Sequence, residues 1–279
     1  AAITEYYNTV IASQIEKTGI LSAEHSFIAK HSPTDPLAIH MQLAHVIEPE
    51  QSAEVVPDKT QDTDTYYTEK LDKADVFFAD YANRFGYNDV FLISQDKGRV
   101  IYSTTRGIEF GTSLVDGPHS GSNLATVIKA AMKMEAGEYI FADFEKYMPA
   151  FGVPTAFVAS PIFVDGERKG VIALEISVSR INDTMTSNQS WQDVGLGASG
   201  ETYLVGEDLL LRNQSRFLIE DKEQYLELIR SIGTDEKIVQ QIDNLNNSIG
   251  LQTVDTIGTR AALSGETDIK IFPDYRGVE

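Results

Sequence analysis

From residue 3 to about 31, apolar side chains recur at Ile3, Tyr7, Val10, Ile11, Ile15 and Ile20, a spacing that predicts one long helix. Ser32-Pro33-Thr34-Asp35-Pro36 ends it, because proline lacks the N–H that a helix interior needs. Leu37 to Ile47 reads as a short helix. Glu48 to Asp64 then has no period, is acidic and carries Pro49 and Pro57, the composition of a loop. From Thr65 to Phe85 the stripe Tyr67, Leu71, Ala74, Phe78, Tyr81 and Phe85 predicts a second helix whose aromatics face a core. Gly86 follows as its terminating glycine.

Past Gly86 the period shortens to that of strands. Asp89–Ser94 and Arg99–Thr104 flank Gln95-Asp96-Lys97-Gly98, the signature of a hairpin. A glycine-rich loop from Arg106 to Ser122 leads into a helix over Asn123–Met134. Strands at Tyr139–Phe144, Thr155–Phe163 and Gly170–Val178 follow, the last two joined at Asp165-Gly166. This order predicts a mostly antiparallel sheet with helices on one face. Ser179–Trp191 reads as a helical connector, after which the order partly repeats. A hairpin of Glu201–Val205 and Leu209–Asn213 precedes helices at Lys222–Ile232 and Thr234–Asn247, then strand-like pieces at Leu251–Thr256 and Asp268–Phe272. The expected organisation is a helix and irregular excursion over 1–64, a first module over 65–180, and a second, truncated one over 181–279.

Composition narrows the function. The 279 residues hold 42 acidic against 23 basic side chains, a net charge of −19 that repels nucleic acid and anionic membrane surfaces. The absence of cysteine excludes disulfides, cysteine-bound zinc, iron–sulfur clusters and thiol catalysis, and fits an extracytoplasmic domain. The chain opens inside a helix and closes as a strand begins, so a piece of a longer protein is expected. Gly195-Leu196-Gly197-Ala198-Ser199-Gly200 spells the dinucleotide fingerprint, but it precedes a strand instead of opening a helix, so no nucleotide site is expected. His25, His31, His40, His45 and His119 lack metal-ligand spacing and read as solvated or pocket-edge residues. No nucleophile elbow, P-loop or kinase motif occurs, and neither an enzyme nor a cofactor or metal is expected.

One charge stands out. Glu175 lies in the apolar strand Gly170-Val171-Ile172-Ala173-Leu174-Glu175-Ile176-Ser177-Val178, where a carboxylate is costly unless it is paired or faces a wet cavity. Alternation places Val171, Ala173, Glu175 and Ser177 on a small, polar face that lines a cavity or meets solvent, and Ile172, Leu174 and Ile176 on an apolar face against helices. Tyr147 belongs to the loop Tyr147-Met148-Pro149-Ala150-Phe151-Gly152, a common setting for binding residues, with Asp143 just upstream. Tyr102, Asp143, Tyr147, Phe151, Phe157 and Glu175 are the candidate ligand-binding residues.

Phe85-Gly86-Tyr87-Asn88-Asp89-Val90-Phe91-Leu92-Ile93 and Gly98-Arg99-Val100-Ile101-Tyr102-Ser103 resemble the first hairpin of a double Cache sensor domain. Phe110–Leu114 and Gly117-Pro118 resemble its following loop, and Ser160–Phe163 with Gly170–Ile176 its last two strands. Gly200–Gly206 resembles the opening of the second module, and Asp274-Tyr275-Arg276-Gly277 a later turn in it. The resemblance spans residues 85–279. It implies an α+β fold in which a long N-terminal helix precedes two PAS-like modules, each a mostly antiparallel sheet flanked by helices. It implies the extracytoplasmic, periplasmic part of a bacterial inner-membrane receptor, tethered by flanking transmembrane helices and dimerising through the N-terminal helix. A histidine kinase, cyclase or chemotaxis output would lie in the cytoplasm. The implied partner is a small molecule in the membrane-distal module; a ligand-free dimerisation or partner-protein module is the alternative. In members that bind amino acids, an aspartate on the last distal strand holds the ligand amine. Glu175 occupies that position with a longer side chain, and the Tyr, Arg and Trp cluster of those members has no counterpart in Asp143–Gly152.

Overall fold

The computed structural model describes residues 2–19, 25–47 and 62–278. The chain forms two compact units, Ala1–Glu16 with Leu21–Ser177, and Lys17–Ile20 with Val178–Glu279. The fold is α+β and PAS-like, with an N-terminal helix, one five-stranded antiparallel sheet and flanking helices.

Helix α1 runs Ala2–Tyr6, widens to π-helical turns over Tyr7–Ile11 and continues Ala12–Thr18. It does not continue to residue 31. Gly19 takes φ +63°, a conformation that stops a right-handed helix, and a separate α2 covers His25–His31. Ile20 and residues 48–61 of the loop expected over 48–64 lie outside the described residues, and 62–64 belong to the helix that follows. Helix α3, Pro36–Gln42, begins with proline behind an Asp35 cap and extends through π turns at Leu43–Ile47. Helix α4 spans Asp62–Phe85, and Gly86 at φ +72° turns the chain directly into the first strand.

Strands β1 (Tyr87–Ser94), β2 (Val100–Ser103), β3 (Ile140–Lys146), β4 (Pro154–Val164) and β5 (Glu167–Ile176) form the sheet in the order β2-β1-β5-β4-β3. Asp165 and Gly166, both at positive φ, make the tight turn between β4 and β5. Helix α5, Asn123–Ala131, starts at a Ser122 cap. Its Leu124, Val127 and Ile128 join Phe91, Ile93, Phe157, Ala159, Val171 and Ala173 in one buried cluster. The face carrying Glu175 is therefore the core face, and Ile172, Leu174 and Ile176 are only half-buried. This reverses the expected assignment of the two faces: small side chains at 171 and 173 leave room for α5 to pack closely. Helices also cover both faces rather than one, since Phe78 of α4 lies 5.1 Å from Tyr102. Tyr102 pairs with Leu92 and so points away from Phe91 and Glu175.

The second unit is mainly helical. It contains α6 (Val178–Thr186), α7 (Arg216–Glu220), α8 (Lys222–Ser231), α9 (Glu236–Leu245) and α10 (Ile257–Leu263). Leu211, Tyr225, Ile229, Val239, Ile242 and Val254 form its core. The hairpin expected at 201–213 is reduced to a bridge between Val205 and Leu211, with a second bridge joining Leu210 to Thr253. No strand forms at 268–272, where Ile269 and Ile271 are fully exposed; a short extended segment without a paired neighbour is not stable alone.

Candidate functional site

The register of the sheet sets two carboxylates side by side. Asp89 on β1 pairs directly with Glu175 on β5, and Phe157 on β4 pairs with Glu175 from the other side. Opposed residues of an antiparallel ladder project to the same face, so both acids enter the core. A third acid comes from the glycine-rich loop. Glu109 is 2% exposed. Its loop is tied to β2 by Val100 N–H to the Thr112 carbonyl and Gly111 N–H to the Val100 carbonyl, each 2.9 Å. The amide of Gln42, itself buried, donates to the carbonyls on either side of Glu109, Ile108 at 2.6 Å and Phe110 at 3.0 Å. A Cβ on Gly107 would lie 2.6 Å from Glu109 Oε2, so glycine there makes space for the carboxyl group.

The three acids are not equivalent. Asp89 accepts from the backbone of Val90 and Thr104 at 2.7 Å, from Thr105 N–H at 3.3 Å, and from the hydroxyls of Ser103, at 2.8 Å, and Thr105. It staples the corner where β2 enters the loop. Burial raises its pKa, while these hydrogen bonds pull the other way. Glu175 accepts a single 3.2 Å bond from the Asn88 amide, and burial first, then the Asp89 charge, pushes it up to about 7. Glu109 is pushed up to about 8 by burial and then by Asp89 and Glu175, and its Oε2 has no hydrogen-bond partner. Neither glutamate forms an ion pair among the described residues.

Tyr147 completes the cluster. The turn Met148–Ala150 closes with Phe151 and Gly152 at positive φ, and Gly152 N–H bonds back to the Tyr147 carbonyl at 2.9 Å. The ring packs edge-on to Phe157 at 4.9 Å. Its hydroxyl is buried without a hydrogen-bond partner, and burial plus the charges of Glu109, Glu175 and Asp89 hold its pKa well above the usual tyrosine value.

Of the six residues proposed from sequence, Tyr147, Phe157 and Glu175 come together here. Phe151 packs against the edge of the same core. Asp143 is exposed on β3, within the register shift between Ala142 and Glu145. Tyr102 lies on the opposite face, its hydroxyl donating to Asp75 at 3.0 Å. Asp89 and Glu109 were missed. Asp89 shares its face with buried Phe91 and Ile93, so the argument that singled out Glu175 applies to it equally. Glu109 sits in a loop without period and gives no such signal.

A group of carboxyls without a countercharge beside an unpartnered phenol can hold a cationic group, which would supply the missing charge and donate hydrogen bonds to Glu109 Oε2 and the Tyr147 hydroxyl.

No family model and no curated protein matches the chain. It is similar to the ligand-binding domain of the Pseudomonas fluorescens chemoreceptor CtaA in complex with L-leucine, at TM-score 0.32 and 14% identity over 52% of this chain and 55% of that one. It is similar to the sensor domain of the V. cholerae histidine kinase DctB, at TM-score 0.31 and 15% identity over the same shares, 52% and 55%. The ligand-binding domain of the Campylobacter jejuni chemoreceptor Tlp3, in complex with L-norvaline, matches over 92% of this chain and 89% of that one, at TM-score 0.36 and 10% identity. The chain thus spans about half the length of the first two, 55% of each. Sensor domains of chemoreceptors and histidine kinases are the class that the sequence resemblance implies.

Proposed function

We propose that this chain is the extracytoplasmic sensing domain of a bacterial transmembrane receptor of the double Cache type. It is not an enzyme in itself. Its module over about residues 65–180 is the membrane-distal one and binds a small molecule through a cationic group. The observation that supports this reading is the set Asp89, Glu109 and Tyr147, buried on one sheet face with half-buried Glu175, in which Glu109 Oε2 and the Tyr147 hydroxyl have no partner. An ammonium group fits it, and the L-leucine and L-norvaline bound by the similar chemoreceptor domains each carry one. The additional Glu109 suits a cation more highly charged than an α-ammonium. Binding would signal by favouring one of two helix arrangements, to the extent of its differential affinity for them. The N-terminal helix provides the dimer contact in this reading.

A thermal-shift screen of the domain against amino acids, linear polyamines and quaternary ammonium compounds tests it. A cationic compound should raise the melting temperature of the wild type and fail to do so with Glu175→Ala. Equal stabilisation of both proteins places the ligand elsewhere. No response from any cationic compound favours the ligand-free interaction module.

A further inference from the structure

A second cleft lies in the first unit, and its chemistry is the opposite of the acid cluster. Its volume is about 650 Å³, and its charged and titratable lining consists of Lys30, His31, Asp116, His119 and Lys146. Two lysines against one carboxylate is a cationic balance in a chain of net charge −19. The walls are the end of α2, the loop before α5 and the segment from Lys146 to Pro149. Tyr147 points from that same segment into the acid cluster, so neighbouring residues serve two different environments.

His119 is the informative residue. It is 3% exposed, and neither ring nitrogen makes a well-formed hydrogen bond. The protein acceptor that acts on it is the Ile108 carbonyl, which already receives the Gln42 amide at 2.6 Å and lies 3.3 Å from the Tyr7 hydroxyl. Leaving a buried polar ring unpartnered is unfavourable, so such a group commonly marks a missing partner. The imidazole of His31 stacks with that of His119 at 6.0 Å. His31 Nδ1 donates to the Phe27 carbonyl at 2.8 Å, which leaves Nε2 as its remaining polar atom. The first turn of the nine-residue α5 begins on the cleft wall at Ser122, so the positive end of the helix adds to the field.

We propose that this cleft is a second ligand site, which takes a small oxyanion of the carboxylate or phosphate class. Lys30 and Lys146 supply the countercharge at the rim, and His119 supplies a ring N–H donor at the base, with His31 stacked beside it. The site stands independently of the acid cluster and of the sensing role assigned to it.

The test is calorimetric titration of the domain with inorganic phosphate and, separately, with acetate and succinate, at constant ionic strength set with chloride. Ring resonances of His31 and His119 are followed by NMR. One anion should bind saturably and shift both histidines, and which one binds distinguishes phosphate from carboxylate. Lys30→Gln and Lys146→Gln should each weaken binding about tenfold, as expected for loss of one charge-assisted contact. Lys133→Gln, an equal charge change on an exposed residue outside the cleft, should not. His119→Phe keeps the ring volume and should abolish binding; if it fails to fold, the lysine variants and the NMR shifts still decide. Binding that chloride reproduces, that leaves both histidines unshifted, or that is as strong in Lys146→Gln as in wild type overturns the proposal. No saturable binding by any of the three anions also overturns it.

Discussion

Each unit buries a glutamate and raises its pKa, but the two settings differ in what surrounds the charge. Glu201 of the second unit accepts Arg216 N–H at 2.6 Å and the Tyr275 hydroxyl at 3.0 Å, while Arg276 pulls its pKa back down. The same tyrosine hydroxyl lies 2.7 Å from that of Ser215. Arg216, 2% exposed, donates to the Gly197 and Gly200 carbonyls, pairs with Glu220 and stacks over Trp191 at 4.8 Å. Every group in that network has a partner within the unit. Glu109 of the first unit has other carboxylates acting on it, an oxygen without a donor and a neighbouring phenol that is equally alone. A closed polar network holds a fold together, whereas an open one of single sign leaves polar atoms that a ligand could satisfy.

The widest gap between the two settings should appear on truncation. Glu201→Ala strands the Arg216 amide and the Tyr275 hydroxyl and should cost about 2–4 kcal/mol. Asp89→Ala, which strands the donors of the β2 corner, should cost about as much. Glu109→Gln replaces a carboxyl that keeps its proton up to about pH 8 with a neutral amide of the same size, and at neutral pH should be neutral or stabilising by about 1 kcal/mol. Urea unfolding with ligand absent measures all three. A Glu109→Gln loss as large as that of Glu201→Ala would erase the distinction drawn here.

A pH series sharpens the same contrast. Unfolded, these glutamates release their protons near 4.5; folded, Glu175 holds its proton to about 7 and Glu109 to about 8. Between those values the folded state binds protons that the unfolded chain has released, so stability falls as pH rises through the window. The loss between pH 6 and 8 should be on the order of 4 kcal/mol, as each unit of pKa displacement corresponds to about 1.4 kcal/mol. Glu201 acts in the same direction but is restrained by its donors and by Arg276. Melting temperatures at pH 6 and 8 should therefore converge in Glu109→Gln more than in Glu201→Gln. Identical slopes in the two variants would show that the acid cluster does not hold the protons.

The sheet was legible in the sequence because its signals are local. The hairpin turn at Gln95–Gly98, the Asp165-Gly166 turn and the Ser122 cap each act within a few residues, and all five strands follow from them. The helix break at Gly19 was not, because the apolar spacing of Ile11 and Ile15 runs up to it without interruption. Which face of β5 packs on α5 depends on side chains more than forty positions away, beyond the reach of alternation alone. Half the candidate site was visible for the same reason. Glu175 and Tyr147 stand out against their own neighbours, whereas Glu109 becomes a buried acid only when Gln42, from a helix near the other end of the unit, clamps the carbonyls beside it.

The smallest expected effect isolates the phenol. In the second unit Tyr275 uses its hydroxyl to close the network, so Tyr275→Phe should cost about 1 kcal/mol or more. In the first unit the Tyr147 hydroxyl is buried without a partner, and its removal relieves a desolvated group instead of breaking a bond. Tyr147→Phe preserves the edge-on contact with Phe157 and should leave stability unchanged or raise it by up to about 1 kcal/mol. The same variant should weaken whichever cation stabilises the wild type, because the hydroxyl is one of the oxygens available to it. Paired unfolding curves of the two phenylalanine variants, with and without that compound, measure both effects. If Tyr147→Phe destabilises the free domain as much as Tyr275→Phe does, its hydroxyl has a partner inside the fold and the first unit is as closed as the second.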